Sequence, residues 1–546
     1  MRAKGRSGQA GLSHTPFITW KMAPWQSLAV PLPAYRCNDI RASMTNIRKW
    51  LTPLTALLGA ILGTALIFIR AYSRDPSARH DAIFARSWWA WWDQGWYYKD
   101  VMAWASGNLN PALHFYFSGY ALIAAPFVHI TPLNPFAVPD FASVLATAWL
   151  LARLARYLAP DRPFMPALAA WAFFAILAFR EEALRVWIDP WDTTPTVPLC
   201  LWALLAALKF HEEPRARRAF VAGLAAGLIS AFRPTEAMIF GGASAAYCLV
   251  TLARLRRGVW AGNAAAGACG ALLGAAPGVI AYVAIHGFRA SDYVIMSRNF
   301  GFEFRLVAFQ WVTIMLAPGP VLAPGYGLIP AYPWMLTGLA GIIAGIAGAR
   351  AKGSLHAYLL VGGAVVTHLV VILSYRGLQS VGLFRYENQH YFKIDSVCLA
   401  VFTILLLDGA MRSARARVAC FAALVCVSCL LPWRVGFSPD AAASFNIQGN
   451  RILLPHGVGG IGYAVLVRGD ARQISFENSG LVLKIGGQIM RPRYDFQDVP
   501  TPDGLAVRPE RDLPHMPAEI DLPPGMSIAV TDTPISAGWL RVHFAL

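Results

Sequence analysis

Eleven apolar runs between residues 51 and 432 constrain this chain more than any other feature of it. They fall at about 51–70, 136–157, 164–181, 195–210, 218–232, 237–253, 259–285, 334–349, 355–374, 394–410 and 417–432. A run of roughly 17–25 apolar residues is long enough to cross the hydrocarbon core of a bilayer as a helix, and a helix satisfies its own backbone hydrogen bonds where no water can. A length of 546 residues would otherwise suggest several soluble domains. The chain is 56% hydrophobic and only 14% charged, whereas a soluble domain carries about 25% charged residues. The expected fold is therefore a polytopic α-helical membrane protein of about eleven spans.

The net charge of +17 raises the question of nucleic acid, but no basic-aromatic module of the usual kinds is present. Much of the charge sits in short loops between apolar runs. Arg153, Arg156, Arg162, Lys209, Arg215, Arg217, Arg218, Arg254, Arg256, Arg257, Arg350, Lys352, Arg412, Arg415 and Arg417 occupy alternate connections. Lys and Arg collect on the cytoplasmic side, so these loops are inside and the remaining loops, with the C-terminus, are outside. Of the eight cysteines, seven lie in or beside apolar runs. Cys426 and Cys429 form a C-x-x-C within an apolar helix, where packing is the expected role, and no disulfide framework is indicated.

Residues 1–45 are polar, contain Pro and Gly, and read as a disordered N-terminal extension without the apolar core of a signal peptide. Residues 46–432 form the transmembrane region. From 433 to 546 short alternating segments such as "GYAVLVRG", "GLVLKIGG", "MSIAVTD" and "WLRVHFAL" read as strands separated by turns, which gives a small β-rich, β-sandwich-like domain outside the membrane. The first outer loop, about 71–135, carries "SWWAWWDQGWYY". Its apolar stretch 119–131 is too short to span and reads as an interfacial or re-entrant helix, as does 306–322.

Ionisable groups at or near membrane depth are costly and mark function. Asp93 stands among Trp88, Trp89, Trp91, Trp92, Trp96, Tyr97 and Tyr98, surroundings that desolvate a carboxylate and raise its pKa toward that of a general base. The same aromatics suit an interfacial belt. In "WIDPWDTTP", Asp189 and Asp192 can ligate a divalent cation or orient a hydroxyl; Asp192 also suits a helix N-cap, with Pro195 early in the helix. In "FRPTE", Arg233 can pair with Glu236 or a nearby Asp, or meet an anionic phosphate. The late outer loop holds Arg376, Arg385, Tyr386, Glu387, His390, Tyr391 and Lys393. Its cations breach the positive-inside pattern, and Arg donates two parallel hydrogen bonds to phosphate. Arg289, Arg298, Glu303 and Arg305 repeat the pattern more weakly. His286 and His368 read as structural.

The order of these features resembles the GT-C superfamily of membrane glycosyltransferases, which includes oligosaccharyltransferase catalytic subunits, protein O-mannosyltransferases and aminoarabinose transferases of lipid A. The resemblance covers about 50–432. Asp93 in "DQGWYYKDVMAWASGNLNP" is similar to the family's first-loop acid, and Asp189 and Asp192 resemble its second-loop acids. Arg376 or Arg385 resembles the phosphate-binding Arg, and "HFYFSGYALIAAPF" and "RYENQHYFK" resemble the stretch after the first acid and the last outer motif. Gln94 follows the first acid where mannosyl- and aminoarabinosyl-transferases carry Glu, and the second site is D-x-x-D.

The resemblance implies an inverting glycosyltransferase in a bacterial inner membrane, with its working face and C-terminal domain periplasmic. The donor would be a polyprenyl-phosphate sugar, and the acceptor an envelope glycan, lipid or protein. Asp93 would be the catalytic base. Arg376, Arg385 and Lys393 would bind the donor phosphate, with Arg233, Glu236, His390 and Tyr391 in support. Asp189 and Asp192 would orient the acceptor or, with Asp93, hold Mg or Mn. No nucleic acid is expected; membrane lipids are. Two alternatives stand beside this reading: a transporter or flippase for lipid-linked sugars, and a non-catalytic envelope assembly protein. If the chain is an enzyme, the acids of the first two outer loops and a late-loop Arg should face one cavity.

Overall fold

The computed structural model describes residues 53–74, 92–131, 134–179, 181–316, 327–349, 354–376 and 385–411, together with scattered residues and short strands up to residue 542. The N-terminal extension, the Trp pair Trp88 and Trp89, the run 417–432 and the segment "MSIAVTD" lie outside the described residues.

The described helices follow the apolar runs. They are α1 (Pro53–Arg74), α2 (Trp92–Ala105), α3 (Gly119–Ala124), α4 (Ala137–Leu158), α5 (Met165–Phe179), α6 (Glu181–Ile188), α7 (Thr193–Glu212) and α8 (Ala216–Phe232). Next come α9 (Pro234–Leu252), α10 (Arg257–His286), α11 (Asp292–Phe300), α12 (Trp334–Ala349), α13 (Leu355–Leu373) and α14 (Lys393–Ala410). Among the described residues, α4, α7, α9, α10, α13 and residues 53–73 of α1 are long and apolar enough to cross a membrane. The runs 164–181 and 334–349 form helices of 15 and 16 residues, which at 1.5 Å per residue reach about 22–24 Å. The stretch 119–131 is one short helix followed by a 3-10 turn at Ala125–Phe127, too short to span, as its length predicts.

α1 shows how an apolar helix divides its faces. Leu54, Leu58, Leu62, Leu66 and Ile69 are exposed, while Ala56, Ala60, Ile67, Phe68 and Ala71 are buried against α4 and α5. In a bilayer the exposed stripe meets lipid tails at no cost, so packing, not apolarity, selects the buried face.

The tightest packing joins α8 to α10. A Cβ at Gly227 would lie 2.2 Å from the Ala271 carbonyl oxygen, one at Gly270 would lie 2.1 Å from that of Phe220, and one at Gly274 would lie 2.3 Å from that of Leu224. Gly223 and Gly227, and Gly270, Gly274 and Gly278, recur every four residues. This small-xxx-small spacing lets two helix backbones touch where no hydrophobic force drives them together. Gly119 does the same for α3: a Cβ on this first residue would lie 2.4 Å from the Ala231 carbonyl oxygen at the end of α8. The first outer loop is thereby fixed to the end of α8, next to Arg233.

Beyond residue 442 the described elements are short antiparallel strands. Ala443–Ser444, Ala471–Glu477, Gly480–Ile485 and Gln488–Met490 make a four-stranded sheet, and Ala506–Pro509, Tyr463–Leu466 and Trp539–Val542 a three-stranded one. Glu477 pairs with Gly480, so the two longest strands join through two residues.

Candidate functional site

Asp93 lies in the first turn of α2, where the positive end of the helix dipole suits a carboxylate. Two features fix the segment that follows. The chain reverses at Gly107, with φ 68°. His114 then places Nδ1 2.5 Å from Asp100 Oδ1, with its Nε2 2.8 Å from the Asn108 carbonyl. This brings Tyr116 back alongside α2, where its hydroxyl hydrogen-bonds Asp93. Rings close round the pair. Tyr97 packs on Tyr116 at 4.8 Å, Tyr293 of α11 packs on Tyr116 at 4.9 Å, and Trp96 stacks on Phe115 at 5.1 Å. Asp93 is half-buried in this cage. Burial pushes its carboxyl up to about 6; the charge on Asp192 adds to the rise, and the Tyr116 hydrogen bond and the Arg233 guanidinium oppose it.

Asp192 occupies the N-cap position of α7 but makes no side-chain cap. Its carboxylate instead accepts a 2.8 Å hydrogen bond from Arg233 Nη1. Arg233 is the single residue between α8 and α9, and its Nε donates to Glu236 Oε1 at 2.6 Å. Both pairings that the sequence allowed for this Arg are therefore made at once. The guanidinium lies 5.3 Å from the Tyr391 ring centre, a cation–π contact. His390 completes the wall, with its ring 3.8 Å from that of Trp191 and 3.9 Å from that of Tyr391. Burial, with Arg233 and Lys393 nearby, holds His390 well below its ordinary pKa and hence neutral.

The sequence-nominated residues thus fall into groups. Asp93, Asp192, Arg233, Glu236, His390 and Tyr391 come together at one end of the bundle. Asp189 is buried one turn before α7, its backbone N–H donating to the Arg185 carbonyl at 2.7 Å. Lys393 is buried too, its Nζ 2.6 Å from Thr194 Oγ1 and 5.2 Å from the Trp187 ring centre. Arg376 is exposed and 3.8 Å from Glu303, so it faces a different partner. Arg385 begins the 3-10 segment Arg385–Phe392; its side chain lies outside the described residues.

Sequence reading passed over Tyr116, Tyr293, Trp191 and Asp395. Tyr116 sits inside "HFYFSGY", and Asp395 inside "YFKIDS" opens an apolar run, where a charge is costly and is a signal in itself. Among the described residues no three His, Cys, Asp or Glu side chains converge closely enough to hold a metal ion. Asp192 is already matched by Arg233, and Asp93 by Tyr116. Both carboxylates thus already have partners within the chain.

No family model matches the chain, and no curated protein matches it. Among the solved structures similar to it, two show how far the likeness goes. ArnT from Cupriavidus metallidurans bound to undecaprenyl phosphate is 12% identical at a TM-score of 0.43, over 65% of this chain and 60% of that one. The Archaeoglobus fulgidus oligosaccharyltransferase in the apo form is 12% identical at 0.43, over 69% of this chain and 54% of that one. The chain spans less than two thirds of either. At that distance neither match decides the chemistry, which rests on the site's own geometry.

Proposed function

We propose that this chain is a GT-C-type membrane glycosyltransferase. It would move a sugar from a polyprenyl-phosphate donor to an acceptor hydroxyl of an envelope glycan, lipid or protein. One observation carries the reading: Asp93, pushed up to about 6, is poised as a base in an aromatic cage beside the buried Asp192–Arg233 pair.

The acceptor hydroxyl gives its proton to Asp93. Its oxygen attacks the anomeric carbon, and the bond from that carbon to the phosphate oxygen breaks with inversion. The charge that grows on the leaving lipid phosphate would be met first by Arg233, with Arg376 and Arg385, which the resemblance nominates, as further candidates. Asp192 and Asp189 orient the acceptor. Aromatic walls suit the apolar faces of a sugar. The membrane would be a bacterial inner membrane crossed about eleven times, with this end of the bundle periplasmic and the strands beyond residue 442 capping it. Convergence of acids and an Arg from different helices supports an enzyme over a flippase.

The test is Asp93→Asn, reconstituted in liposomes with an envelope extract as acceptor. The donors are undecaprenyl-phosphate-linked glucose, mannose and aminoarabinose, and the readout is release of undecaprenyl phosphate. Wild type should turn over at least one donor, and Asp93→Asn should lose about 100-fold or more with an unchanged or higher Tm. Full activity in the variant rejects Asp93 as the base. No release from any donor by wild type rejects the donor class.

A further inference from the structure

Behind Arg233 lies a second layer of ionisable groups that the transfer chemistry does not use. His368, on α13, and Asp395, in the first turn of α14, are both fully buried. His368 Nδ1 is 2.8 Å from Asp395 Oδ2. Its other nitrogen, Nε2, faces Glu236 Oε1 across 3.9 Å. That is the oxygen that accepts from Arg233 Nε at 2.6 Å. Neither His368 Nε2 nor Glu236 Oε2 has a hydrogen-bond partner among the described residues. The Phe240 ring lies 5.3 Å from the imidazole and helps keep it dry.

Buried polar atoms left unpaired are costly, and here one of them, His368 Nε2, stands just beyond bonding distance of the carboxylate that carries the other. Glu236 is also followed at once by a π-helical turn, Ala237–Gly241. Such a turn is a local widening common at functional sites.

We infer that His368, held by Asp395, is a positioning residue that offers Glu236 a second docking point, and so sets how much of Arg233 is left for an anionic ligand. The inference rests on the reading that a lipid phosphate binds at Arg233. When the phosphate arrives, it competes with Glu236 for the guanidinium. A displaced carboxylate cannot stay buried without a partner, and the imidazolium form of His368, with a proton on each nitrogen, can give it one. The 3.9 Å separation closes to an ordinary hydrogen bond as the Arg233–Glu236 bond opens. Without His368, Glu236 stays on Arg233 and the phosphate binds less tightly.

Binding of undecaprenyl phosphate to the full chain in nanodiscs tests this. His368→Phe should weaken binding about tenfold, within the usual range for coupled sites. His368→Gln, whose amide can still donate toward Glu236, should recover most of the loss. In a Glu236→Gln background, which leaves Arg233 less tightly held, His368→Phe should have no further effect. An equal loss in both backgrounds overturns the inference, because His368 would then act through packing alone. A second readout does not depend on the lipid. In protein carrying 15N-histidine, Glu236→Gln should shift the His368 Nε2 resonance. An unchanged resonance overturns the relay whatever the lipid does. Failure of wild type to bind the lipid, with the resonance still shifted, rejects the donor reading and leaves the contact between Glu236 and His368 standing.

Discussion

The two ends of the helix bundle use the same residue types to opposite effect. At the end that the charge pattern places inside, Arg218 meets Glu213 at 2.9 Å with side chains 33% and 47% exposed, and Arg162 meets Asp408 at 3.3 Å with 37% and 12%. Tyr157 donates to Glu212 at 3.0 Å in the open. At the other end Arg233 meets Asp192 with 11% and 8% exposed, and His368 meets Asp395 with neither exposed. Exposed pairs trade water for a partner and gain little. Buried ones give up their hydration, so each charge depends on every other. One end records how the chain is oriented, and the other holds groups in a state they would not adopt in water.

Mutation and pH can break that contrast. The largest effect belongs to Arg233→Leu, which strands Asp192 and Glu236 without their cation; it should cost about 3–5 kcal/mol, read as a collapse of Tm in detergent. A small loss there would mean that the cluster is wetter than its burial implies. Gly227→Ala drives a Cβ into the Ala271 carbonyl and should cost about 1–3 kcal/mol. Because Arg233 follows α8 directly, turnover should fall with it. Gly262→Ala, with nothing within 4 Å of its Cβ, should instead be neutral or slightly stabilising.

Next comes pH. Asp93 must be ionised to accept a proton, so kcat/KM should fall about tenfold per unit once the pH drops below about 6. Tyr116→Phe removes a hydrogen bond that favours the charged form, and should move that limb upward. The same shift carries a stability signature. The folded carboxyl holds its proton to higher pH than the unfolded one, so the folded state binds more protons between about 4 and 6 and loses stability as pH rises through that window. Asp93→Asn should flatten that slope. The smallest effect is Arg218→Ala, below about 1 kcal/mol and shrinking further in salt.

Much of this was legible before the fold. Apolar period and length located every described long helix, and the short 119–131 stretch was read as non-spanning. Asp93, Asp192, Arg233 and Glu236 drew notice because charge beside apolar sequence is expensive. What sequence did not show was who meets whom. Asp192 and Arg233 are 41 residues apart, and Lys393 and Thr194 are 199 apart; helical periodicity says nothing about which helix ends converge. Lys393 looks like a loop cation in one dimension and is a buried one in three. Asp192 reads as a helix cap, and its carboxylate goes to Arg233 because a buried guanidinium is a stronger claimant than a backbone N–H. His368 looked inert because its partners, Glu236 and Asp395, lie on two other helices.

The Arg233–Glu236 pair has a consequence for how the protein is made. On the proposed orientation Arg233 would have to be carried through the bilayer, where an Arg at mid-depth costs about 2.5–3.5 kcal/mol. Its first counter-ion is only three residues downstream in the same hairpin. On that orientation the two charges would leave the ribosome almost together, cancel while α8 and α9 are inserted, and arrive as a neutral unit.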